Sequence, residues 1–301
     1  MVERTQAAIK LLYYVSKCFG TIPFTFSMKE GYFKLQLTAV STTVCFIILL
    51  AIVVPNIYSV HRVYLILNRP NVYQNTPVDI FVRLCVNIFN LLCHLCTPFV
   101  LIKNKENLNF ALNSLTQNMN FVYERNKYNL FYVVLQLCIC LTYLISCSLV
   151  YFIVNFIERS GIYNLAYMGS IFAVQLTIFQ FVNFYLLIKQ CFAYINSEFN
   201  NLGQTSEKLV IFQKVVKLHG TMCDVSYMIC STYSPLLLIF LLQIFSWIIR
   251  MLYFLILKIM GYKIEESVIL YMLVLLYTIL QLLLVSYCCH GIELEVSTNI
   301  I

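Results

Sequence analysis

Between Leu37 and Cys289 the chain contains six apolar runs, and each is long enough for a helix to cross the roughly 30 Å hydrocarbon core of a bilayer. They cover Leu37–Tyr58, Val78–Ile102, Asn129–Ile157, Ile162–Ile188, Met228–Leu257 and Ser267–Cys289. A water-soluble fold cannot absorb this pattern. Of the 301 residues, 61% are hydrophobic and only 11% charged, against roughly 45–50% and about 25% in soluble domains. The surplus apolar area would stay exposed in water and aggregate. The expected fold is therefore all-α, a polytopic transmembrane helical bundle of six spans with the lipid bilayer as its solvent. Residues 1–36 precede the bundle, residues 37–289 form it, and residues 290–301 begin a loop or tail. No repeat or linker divides the chain into further domains.

Basic residues set the expected orientation. Arg4, Lys10, Lys17, Lys29 and Lys34 precede the first span. Lys103, Lys105, Arg125 and Lys127 lie in the second inner connection, and Lys189, Lys208, Lys214 and Lys217 in the third. The opposite side carries only Arg62, Arg69, Arg159, Lys258 and Lys263. The richer side is expected to be cytoplasmic, which places the N-terminus inside. The net charge of +7 thus reads as topology rather than as a nucleic-acid footprint. The first 36 residues are too charged for a cleavable signal peptide, so the first span serves as signal and anchor together.

Polar residues within the spans recur at helical spacing, which puts them on shared faces. Arg83, Asn87, Asn90 and His94 form one stripe, and Gln243, Trp247, Arg250 and Tyr253 another. Polar groups in lipid tend to face a bundle interior or a cavity. With the N-terminus inside, Arg83, Asn87, Tyr151, Asn155, Tyr167, Gln175, Trp247, Arg250, Tyr253 and Tyr271 fall in the outer halves of their spans. They could converge on an outward-opening pocket with aromatic walls and a few polar anchors, a lining that suits a small organic ligand. The competing reading is hydrogen bonding that holds the bundle together. His94 reads as a satisfied interior histidine. Ten of the 13 cysteines lie in apolar runs and read as small buried hydrophobes. Cys93 and Cys96 form a C-x-x-C with no second pair at zinc spacing, so no metal and no cofactor is expected. G-x-S-x-G, H-E-x-x-H and P-loop sequences are absent, and no carboxylate pair lies within the spans, so no enzyme activity is expected.

Three segments resemble insect gustatory receptors, a family of seven-helix chemoreceptors with a cytoplasmic N-terminus. Gly20-Thr-Ile-Pro23-Phe24 ahead of the first span is similar to the family's entry motif. The stretch from Lys217-Leu-His219 through Asp224 to Leu236-Leu-Leu238 and Leu252-Tyr253 resembles its fifth helix, and the tail with Glu293 and Glu295 the loop after its sixth. The resemblance implies a plasma-membrane subunit of gustatory sensory neurons that binds a small-molecule tastant. It implies a homo- or hetero-tetramer acting as a ligand-gated, non-selective cation channel. The family's last helix carries Thr-Tyr, five residues and then Gln-Phe. Here Thr232-Tyr233 is followed by Gln243 after nine residues, within the fifth run, and the sequence stops at Ile301. The expectation is a fragment of a longer product or a receptor lacking the pore helix. A G-protein-coupled receptor is the first alternative, opposed by the inside N-terminus and the lack of Asn-Pro-x-x-Tyr in the last span. A small-molecule transporter is the second, opposed by the lack of an inverted repeat.

Overall fold

The computed structural model describes residues 10, 13–29, 32–67, 77–125, 161–201, 208–261 and 268–297. A short helical turn over residues 13–18 leads into a hairpin of two antiparallel strands, β1 (Thr25–Lys29) and β2 (Tyr32–Gln36). Among the described residues six long helices follow: α1 (Ala39–Leu67), α2 (Pro77–Lys103), α3 (Lys105–Arg125), α4 (Gly161–Asn201), α5 (Lys208–Ile259) and α6 (Val268–Ser297). The expected all-α bundle is present, with the hairpin as an addition. Five of the six apolar runs coincide with helices, and the run 129–157 lies outside the described residues.

Two helical stretches, Ala173–Asn200 and Leu209–Ile259, are long and apolar enough to cross a bilayer, while Ala39–Val54, Asn87–Lys103 and Leu282–Leu294 are shorter apolar stretches. The helices are apolar on more than the face they bury. In α5, Val225, Ile229, Leu236, Phe240 and Ile244 are buried, while Leu238, Leu242, Phe245, Ile249, Leu252 and Ile256 are exposed. In α1, Cys45, Leu49, Ile52 and Val53 turn inward, and Val40, Val44, Ile47, Leu50 and Val54 outward. A helix that is hydrophobic all round suits an apolar solvent rather than water. Helix α3 differs. It buries Leu108, Ala111, Leu112 and Leu115 along one stripe, with Glu106 and Gln117 exposed, the pattern of a helix with one side in water.

Local chemistry accounts for the element ends. Thr38 caps α1, since its Oγ1 accepts the Ser41 amide at 3.2 Å and its carbonyl the Thr42 amide at 3.0 Å. A single residue, Asn104, separates α2 from α3, and its side-chain amide donates back to the Val100 carbonyl at 3.0 Å. This connection was expected as a loop. It is a 21-residue helix, because Leu108, Leu112 and Leu115 repeat at three- and four-residue spacing and find a buried surface. Helix α5 ends at Gly261, whose φ of 84° and amide bond to the Lys258 carbonyl at 3.0 Å make a C-terminal cap. With 52 residues, α5 is about 78 Å long, more than twice the thickness of a hydrocarbon core. Residues 208–227, ahead of the fifth apolar run, join it in one helix without a break, and Pro235 is accommodated inside that helix. Helix α6 runs on to Ser297, past the expected end of the bundle at residue 289.

Helices α4 and α5 pack antiparallel. Their ring pairs Phe184–Tyr233, Phe192–His219 and Phe199–Phe212 step in opposite directions along the two helices, with centroids 6.2, 5.4 and 6.0 Å apart. Helix α5 also packs along α2 and α3, and α4 touches α1 and α6, so α4 and α5 form the spine of the core. The hairpin rests on α3, where Asn109 Oδ1 accepts the Leu35 amide at 3.3 Å.

Candidate functional site

The predicted pocket residues fall on four of the described helices. Arg83 and Asn87 lie on α2, Tyr167 and Gln175 on α4, Trp247, Arg250 and Tyr253 on α5, and Tyr271 on α6. Tyr151 and Asn155 lie outside the described residues, as do the side chains of Arg83, Tyr167 and Tyr271. Asn87, Gln175, Trp247, Arg250 and Tyr253 are all half-buried. The Arg250 guanidinium stands over the Trp247 ring, 5.5 Å from its centroid. This pair follows from the three-residue spacing, which brings two side chains of α5 to one face. Cation–π contact leaves the other face of the indole for a further partner.

The antiparallel register of α4 and α5 gives these residues a depth. Measured from the contact between Gln180 and Tyr233, Tyr167 and Trp247 both lie about 20 Å away in the same direction at 1.5 Å per residue. Arg250 and Tyr253 lie about 25 and 30 Å away, whereas Gln175 is only about 8 Å away. Tyr167 and Trp247 therefore share a level, and Gln175 sits a full two turns below them. Gln243, on the same stripe as Trp247, is buried, so this stripe faces the bundle interior.

His94 is fully buried on α2, as expected of an interior position. It is not satisfied there, because neither ring nitrogen has a hydrogen-bond partner among the described residues. Its neighbour Cys93 is also buried, with Thr97 Oγ1 donating to the Cys93 carbonyl at 2.7 Å. Among the described residues no cluster of His, Cys, Asp or Glu could hold a metal ion, and every described cysteine is a free thiol.

A second polar site was not foreseen. Ser16, from the N-terminal turn, is buried between helices, and its Oγ accepts from Gln180 Nε2 at 2.7 Å. Gln180 Oε1 in turn accepts from the Tyr233 hydroxyl at 3.1 Å. The residues around Ser16 are seated with it. Gly20 adopts a φ of 68° against α1, and the Cys45 thiol donates to its carbonyl at 3.0 Å. Phe24 is fully buried, and the Tyr13 hydroxyl donates to the Phe24 carbonyl, bridging the two ends of the segment. Burial pushes the Tyr13 hydroxyl up to about 12, since the phenolate would lose its hydration there. The signal for this site was the buried glutamine, but its partners are 164 and 53 residues away in sequence, beyond any local pattern.

A scan against protein-family models matches the family described as 7tm chemosensory receptor over residues 9–297. The chain belongs to the chemosensory receptor family. The match covers the docked N-terminal segment, the hairpin and all six described helices, so these belong to one receptor fold. The receptor is a membrane protein, in agreement with its all-round apolar helices, and its role is that of a chemoreceptor for small molecules. No curated protein matches the chain.

Proposed function

We propose that the receptor is a gustatory-type subunit that takes a small-molecule tastant between the outer halves of α2, α4, α5 and α6. In the plasma membrane of a gustatory sensory neuron, the tetrameric assembly would convert that binding into a non-selective cation current. The inside N-terminus rests on the distribution of Lys and Arg. That orientation places the Trp247 level outward and the Ser16–Gln180–Tyr233 site toward the cytoplasm.

The observation that carries the site is the half-buried Trp247–Arg250 pair on an inward-facing stripe. An aromatic wall beside a fixed cation offers both apolar contact and hydrogen-bond donors, the combination that holds small polar organics. Asn87 on α2 adds an amide, and Tyr253 a hydroxyl one turn further out.

Trp247 is the single tryptophan of the chain, so its fluorescence reports on this site alone. The purified receptor in lipid nanodiscs is titrated with sugars, amino acids and alkaloid-type bitter compounds. A saturable change in tryptophan emission that weakens at least tenfold in Asn87→Ala or Tyr253→Phe supports the reading. Saturable binding by an independent assay, with tryptophan emission and both variants unaffected, places the ligand elsewhere. Agonist-evoked cation current in cells expressing the receptor tests the channel activity.

A further inference from the structure

Gln180 lies within α4 and is only 3% exposed, and the two ends of its amide are committed to different parts of the chain. Its nitrogen donates to Ser16 of the N-terminal segment at 2.7 Å, and its oxygen accepts from Tyr233 of α5 at 3.1 Å. Both partners are themselves buried. Ser16 has little freedom to follow a moving amide. Its carbonyl already accepts from the Thr21 hydroxyl at 2.8 Å and from the Phe19 and Thr21 amides at 3.3 and 3.1 Å. The turn it closes presses Gly20 onto α1 over the buried Cys45 thiol. Tyr233 is equally constrained, with its ring packed against Phe181 and Phe184 at centroid distances of 5.9 and 6.2 Å.

A buried amide that loses one partner bears its full desolvation penalty, and members of a buried network hold or fail together. The Gln180 amide can therefore satisfy the N-terminal segment only while it also satisfies α5. We infer that residues 13–24 form a latch keyed by Gln180 to the α4–α5 interface, so that a shift of α5 against α4 unseats the segment from α1. This goes beyond ligand binding: it concerns the resting protein and stands whether or not a tastant or a current is found.

The structure supplies its own reporters. Cys18 is exposed, Cys45 lies under the latch, and Cys191 is fully buried in α4. The full chain in lipid nanodiscs is labelled with a membrane-permeable maleimide, and the rate at each cysteine is read by peptide mass spectrometry. Tyr233→Phe keeps the ring and removes only the hydroxyl bonded to Gln180, and Ser16→Ala removes the other end. Each is expected to raise Cys45 labelling about fivefold, the effect of losing one buried hydrogen bond, with Cys18 and Cys191 unchanged. The double variant is expected well below the product of the two single effects, since both act through one amide. Any of three results overturns the latch. One is a wild-type Cys45 rate in Tyr233→Phe. Another is a double variant that multiplies the single effects. The third is a parallel rise at Cys191, which would mean general loosening of α4.

Discussion

Adding one methyl group at Gly20 and at Gly220 is expected to change stability in opposite directions. Gly20 has a φ of 68°, a conformation that costs an L-residue roughly 1–2 kcal/mol. A Cβ there would also stand 3.1 Å from Ile48 Cγ2 and 3.2 Å from the Cys45 carbonyl oxygen. The carbonyl belongs to the α1 backbone and cannot yield, so overpacking adds about 1 kcal/mol or more. Gly20→Ala should therefore cost about 2–4 kcal/mol. Gly220 lies inside α5, exposed, with nothing within 4 Å of its would-be Cβ. There, alanine removes the helix penalty of glycine and should stabilise by about 1 kcal/mol. Both variants are measured by equilibrium unfolding in mixed micelles, with maleimide labelling of Cys45 as a local readout. Gly20→Ala should also accelerate Cys45 labelling, and Gly220→Ala should not. Equal stability of the two variants, or a destabilised Gly220→Ala, would refute the reasoning.

Three further outcomes are expected. A Cβ at Gly291 would lie 2.9 Å from Lys189 Nζ, the mobile end of a long side chain that stands 4.8 Å from the Tyr287 ring centroid. Gly291→Ala should thus lose about 0.5–1 kcal/mol of cation–π contact and gain up to about 1 kcal/mol of helix propensity inside α6, for a net change near zero. In a Lys189→Met background it should stabilise by up to about 1 kcal/mol, by the same unfolding assay. The Tyr13 hydroxyl is neutral in the folded chain up to about 12, while in the unfolded chain it ionises near 10. Its contribution is complete below pH 10 and is lost as pH rises toward 12. The stability gap between the wild type and Tyr13→Phe should therefore shrink across that window, and a constant gap would show that Tyr13 is not held protonated by folding. Leu115 is 1% exposed on α3 and Phe110 is 43% exposed, so Leu115→Ala should cost about 2–5 kcal/mol and Phe110→Ala under about 1 kcal/mol. Comparable losses would mean that α3 is covered on its outer face.

Much of the architecture could be read from the chain because helix formation in an apolar segment is a local matter. Runs of about 20 apolar residues need neither a distant partner nor a particular register to be helical. That is why Val78–Ile102 matches α2 almost to the residue, and why α6 starts at Val268 where the sixth run does, although it continues to Ser297. The Trp247–Arg250 contact was equally local, being one turn of one helix. Cues for the hairpin and for α3 were weaker. Two five-residue strands and a helix with a narrow apolar stripe do not stand out beside runs several times stronger. Gln175 was grouped with Trp247 because both belong to outer halves by count. Their separation in depth needed the register of α4 against α5.

By itself, then, the sequence determined the helical class, the solvent and the receptor family, since composition, run length and order along the chain are one-dimensional properties. The tertiary structure alone decided which buried polar residues meet. Ser16, Gln180 and Tyr233 are unremarkable singly, and they become a site because antiparallel packing brings α5 beside α4 and the N-terminal turn between them. Buried hydrogen bonds are pairwise and distance-limited, so their partners are set by packing rather than by spacing along the chain.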